Sequence, residues 1–173
     1  MRALSISLLL IAFACSGARS VWASDASVRI SFLLNFSRFT EWPDSGLALD
    51  TPMTFCIAPG DPEMSSAFTA LQRQTLRNRP VNAIHVVRPA DAVRCNVLYL
   101  PTEVPGGSAP WLASVERAGT LTVSDRPDFT EEGGVIGLIM VAGRYRFDVN
   151  LGSAKRRNLS LSADLLKLAR SVK

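Results

Sequence analysis

The sequence predicts an α/β protein: a Rossmann-like three-layer sandwich in which a mostly parallel sheet is finished by a C-terminal hairpin and helix. Two observations carry this reading. Short apolar runs such as Cys95–Leu100 and Val135–Val141 look like strands covered on both faces, and amphipathic stretches of helical period separate them. After Gly143 the pattern changes to strict alternation, with Tyr145, Phe147 and Val149 on one face and Arg144, Arg146, Asp148 and Asn150 on the other. That change marks a hairpin with one half-exposed strand.

In chain order, the opening has a basic residue (Arg2), an apolar run from Leu8 to Ala14, and a Val21-Trp22-Ala23 site. This is the form of a secretory signal peptide over 1–23, leaving a domain over 24–173 in an oxidising compartment. Cleavage before Cys15, which would make a lipoprotein, is the competing reading. Val28–Trp42 reads as a helix with Val28, Phe32, Leu33, Phe36 and Phe39 on one face, Arg29, Asn35, Arg38 and Glu41 mostly off it, and Pro43 ending it. Met53–Ala58 is a strand, Glu63–Gln72 a helix, and Val81–Val87 a strand holding His85. Ala109–Ala118 is a helix ended by Gly119, and Leu121–Val123 is a strand. Beyond the hairpin comes a polar segment with Lys155, Arg156 and Arg157. Ser160 or Ser162 then caps a closing helix whose end is favoured by Lys167, Arg170 and Lys173.

The chain is 173 residues long, 47% hydrophobic and 20% charged, enough for one domain with a real core. Loss of Arg2 and Arg19 with the signal leaves 17 basic against 15 acidic residues, too even a balance for a nucleic-acid binder. Eight of the basic residues fall between Arg144 and Lys173, against Asp148 and Asp164 alone. That asymmetry suits an anionic partner or ligand; a solvated basic end of a helix is the plainer alternative.

Motifs for catalysis are absent. The single histidine, His85, lies in an apolar strand and reads as a satisfied buried residue, and no GxSxG, HExxH or phosphate-binding loop occurs. No cofactor or metal is expected. Beyond the signal, Cys56 and Cys95 remain, and an even pair in an oxidising compartment is most simply a disulfide, with two buried free thiols as the alternative. Closing that loop would stabilise the fold by roughly 4 kcal/mol. The residue types suited to carboxylates or phosphates are Arg144 and Arg146, about 7 Å apart on one strand face, and Arg38 on the first helix. Trp42 at the helix end suits a protein anchor. An ordinary charge ladder, with Arg146 answered by Asp148, is the alternative.

Several blocks in order carry a resemblance: LLNFSRFTEWP (Leu33–Pro43), FCIAPGDP (Phe55–Pro62), CNVLYL, GTLTVSDRPDF (Gly119–Phe129), and the closing GGVIGL, GRYRFDVN and LLKLAR segments. The chain resembles the YfiR family of secreted bacterial proteins over nearly all of its length after the signal. The resemblance places Cys56 and Cys95 where the family has a disulfide-forming pair. It implies a periplasmic regulator, not an enzyme, which represses the periplasmic part of an inner-membrane signalling protein. A diguanylate cyclase is the expected partner, so that cyclic-di-GMP and biofilm formation stay low, with a sensor kinase as the other candidate. Homodimers are also expected. A periplasmic binding protein for a small anionic ligand is the second functional expectation.

Overall fold

The computed structural model describes residues 25–42 and 51–173. The signal peptide, Cys15 and Pro43 lie outside these residues. The elements in order are α1 (Asp25–Arg38), β1 (Thr40–Glu41), β2 (Met53–Ile57), α2 (Pro62–Phe68), β3 (Thr75–Leu76), β4 (Arg79–His85), β5 (Val97–Leu100), α3 (Ala109–Ser114), β6 (Leu121–Ser124), β7 (Ile136–Val141), β8 (Arg144–Val149), α4 (Leu151–Arg156), β9 (Ser160–Leu161), α5 (Ala163–Leu168) and β10 (Ser171–Val172). Short 3-10 turns follow α2 (Thr69–Arg73) and precede β5 (Pro89–Arg94).

Eight strands form one sheet in the order β10-β8-β7-β6-β5-β2-β4-β3, while β1 and β9 pair separately. From β4 through β2, β5 and β6 to β7 all pairings are parallel. The two-residue turn Ala142-Gly143, both at positive φ, sends β8 back antiparallel to β7. Taken alone, the five parallel strands have the flavodoxin-like order, in which the first strand lies between the second and third.

Strand alternation divides the core in two. Phe55 and Ile57 of β2 and Val97 and Tyr99 of β5 meet Leu33 and Phe36 of α1 and Met64 and Phe68 of α2 on the larger side. Cys56, Leu98 and Leu100 face Trp111, Leu112 and Val115 around α3 on the smaller side. Cys56 and Cys95 are bonded across this smaller core with 5.9 Å between their Cα atoms. These two covered faces make the three layers.

The elements depart from the sequence reading at their ends. The first helix starts at Asp25 and stops at Arg38, four residues before Trp42. Thr40 donates its hydroxyl to the Phe36 carbonyl (2.8 Å) as the chain leaves the helix and pairs with β9. The helix expected over Glu63–Gln72 tightens into a 3-10 turn after Phe68, and α3 ends at Ser114 instead of Ala118. The polar segment after the hairpin is helical: Asn150 caps α4 by accepting from the Ser153 amide at 2.7 Å. Ser162, not Ser160, caps α5. The basic residues beyond α5 serve ion pairs: Arg170 binds Asp148 and Lys173 binds Glu131. β7 is covered on both faces only in its first half, because Met140 and Val141 are exposed.

Candidate functional site

The C-terminal ends of the parallel strands gather around Arg29. Sequence reading put this residue off the apolar face of its helix; in the structure it is 6% exposed and lies on the buried stripe with Ala26, Ile30, Leu33 and Phe36. Asp61 follows β2. It caps α2 by accepting from the Met64 amide (2.8 Å), and its other oxygen lies 2.7 Å from Arg29 Nη1. Gly60, at φ +128°, makes that turn feasible, because a Cβ there would lie 2.6 Å from the Glu103 carbonyl oxygen. Tyr99, at the end of β5, places its hydroxyl 2.9 Å from the same Nη1. Asp125, just past β6, reaches it at 2.7 Å and accepts the Thr102 amide (3.1 Å) and hydroxyl (3.0 Å) on its second oxygen. Asp25, one turn earlier in α1, pairs with Arg29 Nε at 3.1 Å and accepts the Tyr145 hydroxyl from β8.

One guanidinium therefore ties together α1, two strand-end loops, β5 and the hairpin. Burial alone would lower the pKa of Arg29, but the neighbouring Tyr99 and Asp61 hold it above its ordinary value, so the charge is permanent. Burial, and then the nearby Asp125 charge, push Tyr99 above the ordinary tyrosine range. Burial and the hydrogen bond to Asp25 do the same to Tyr145.

The position of this cluster matters. Open α/β sheets bind ligands outside the carboxyl ends of their strands, where the strand order reverses, here between β2 and β5. Asp61 and Tyr99 flank that point, and Arg29 fills it from within the chain.

The residues proposed from sequence lie elsewhere and in two groups. Arg38 is exposed at the end of α1 and donates to Asn35 Oδ1 at 3.3 Å. Trp42 is half-buried against the larger core, with its indole N–H unpartnered. Arg144 and Arg146 are exposed on β8. Their strand neighbours Tyr145 and Phe147 pack on Phe32 and Phe36 of α1, so the two arginines project from the opposite face of the hairpin. The structure thus keeps Arg144 and Arg146 together and separates them from the α1 side. Asp148 does not answer Arg146, because it is bound by Arg170. His85 is exposed rather than buried: its ring lies edge-on to Phe68 and Nε2 sits 3.3 Å from the Ser65 carbonyl.

The Arg29 cluster escaped sequence reading because its acids come from three separate segments. Two signals were present. Arg29 stands at i+3 from Ala26 and i+4 from Asp25, and Asp61 and Asp125 each come shortly after a strand.

Fold and site together define a single α/β domain whose switch point is closed by its own arginine and whose basic hairpin is open. The YfiR/HmsC-like family matches residues 26–170, and the chain belongs to that family. Among solved structures, a conserved domain protein from Vibrio cholerae O1 biovar El Tor is similar in fold, with a TM-score of 0.59 at 10% identity. The match covers 87% of this chain and 60% of that one, so this chain spans about three fifths of its length.

Proposed function

We propose that the protein is a periplasmic regulator that binds the periplasmic part of an inner-membrane diguanylate cyclase and holds it inactive, lowering cyclic-di-GMP and biofilm formation. Family membership over residues 26–170 is the observation that carries this reading. The closed switch point agrees with it, since the place where this sheet order would take a small ligand is occupied by Arg29. The signal-like opening at 1–23 supports periplasmic placement. The contact residues are Arg38 and Trp42 on one side and Arg144 and Arg146 on the other. A receptor for a small anion would gather all three arginines around one point; their divergence favours a protein surface.

The test is deletion of the gene in its own host, with cyclic-di-GMP measured in extracts. The expected result is a rise in cyclic-di-GMP and biofilm mass, reversed by the wild-type gene. Unchanged levels in both the deletion and the complemented strain would refute the regulatory reading.

A further inference from the structure

The hairpin tip extends beyond the sheet that supports its base. Pairing between β6 and β7 ends at Ser124 and Gly137, while β7 continues to Val141 against β8. Because the closing pair Val141 and Arg144 flanks a two-residue turn, main-chain bonds to β8 come from Gly137, Ile139 and Val141. The N–H and C=O of Met140 therefore face the line that β6 vacates, with no strand opposite. This edge opens into a cleft of about 470 Å³ walled by Arg126–Glu131 and by Arg170, Ser171 and Lys173 near the C-terminus. Ile139 and Val141 form part of its lining, and Met140 and Val141 are among the most exposed apolar side chains described.

Charge selects the occupant. Cross-strand pairing sets Ile139 opposite Arg146 and Val141 opposite Arg144, so apolar and cationic side chains share one face. Arg126, Arg170 and Lys173 around the cleft are already engaged by Glu132, Asp148 and Glu131. Arg144 and Arg146 have no acidic partner among the described residues, and the remaining unengaged acid at the cleft is Asp128. A second copy of this chain pairing at the same edge would bring four guanidinium groups together, which opposes self-pairing.

We infer that the β7 edge at Met140 is a strand-addition site for an extended, acidic and apolar segment of a partner protein, which takes the line left by β6 and answers Arg144 and Arg146. This rests on the regulatory reading above and gives its partner a chemistry: alternating apolar and carboxylate residues in extended conformation.

The probe is an end-blocked, fluorescent eight-residue peptide of alternating valine and glutamate, with a valine–lysine peptide as its counterpart. Anisotropy is measured on the protein purified from its own host. The glutamate peptide should bind at least about tenfold more tightly than the lysine peptide, and R144E/R146E should reverse that preference. Met140→Pro removes an N–H that β8 does not use, so it should weaken the glutamate peptide severalfold at unchanged melting temperature. Equal binding of the two peptides would overturn the proposal. So would full binding by a folded Met140→Pro variant, or a dimer that Met140→Pro dissociates, which would make a second copy the occupant. If both variants still restore normal cyclic-di-GMP in the deletion strain, the regulatory reading stands and the strand-addition site falls.

Discussion

The switch point in the middle of the sheet and the tip of the β7–β8 hairpin are built on opposite rules. At the switch point every charge is answered: Arg29 has carboxylates from Asp25, Asp61 and Asp125, and those acids are further held by Met64, Thr102 and Tyr145. At the hairpin tip Arg144 and Arg146 stand exposed beside Met140 and Val141. In a fold that commonly uses the first place for ligands, the uncompensated cations and exposed apolar side chains lie at the second. The teaching is that a fold's usual site can become a structural clamp while function is free to use an edge.

If the switch point is a clamp, breaking it should cost folding stability first. Arg29→Met leaves Asp61 and Asp125 facing each other without a cation, and removal of one side of a buried pair costs about 3–5 kcal/mol. Urea unfolding should show that loss, whereas Arg144→Met at the open end should leave the midpoint nearly unchanged. The Cys56–Cys95 bond belongs with the clamp. Cys56 is fully buried, and the double replacement by alanine should lower stability by about 4 kcal/mol on the chain-entropy account. Mild reductant under native conditions should leave the bond intact, as a thiol count under those conditions would show.

A smaller effect separates packing from charge. A Cβ on Gly134 would lie 2.1 Å from the buried Phe129 ring, so Gly134→Ala should cost about 1–3 kcal/mol, and Phe129→Leu in the same chain should recover part of it. The clamp should also be sensitive to alkali. Tyr99 has a folded pKa raised by burial and by Asp125, so its contribution is complete below the ordinary tyrosine pKa of about 10 and is lost as pH rises beyond it. Stability measured from pH 8 to pH 11 should fall, and Tyr99→Phe should flatten that fall. At the open end the expected change is small and of opposite sign. Ala142 sits at φ 48° in the hairpin turn, and Ala142→Asn suits that conformation, raising stability by about 0.5 kcal/mol without altering the tip's charges.

The layered α/β fold was legible because it rests on local patterns: continuous apolar runs for β5 and β7, alternation for β8, and Ser162 before the closing leucines. The exposed arginines were legible for the same reason, since alternation on one strand assigns a face. What a linear pattern does not carry is tertiary charge pairing. Arg29 looked like a polar-face residue until Asp61 and Asp125, 32 and 96 positions away, made its burial affordable. Arg170 looked like a helix-end cation until it reached Asp148 across the sheet edge. The α4 helix was hidden by Gly152 and Ser153, weak helix formers that the Asn150 cap compensates.

The most direct measurement is retention of membrane proteins from the detergent-solubilised membranes of the host by immobilised, oxidised protein, compared with an R144E/R146E variant of equal melting temperature. The account predicts that a diguanylate cyclase is enriched on the wild-type protein and depleted on the variant. No enrichment of any cyclase on the wild-type protein, or equal enrichment on both, would contradict it.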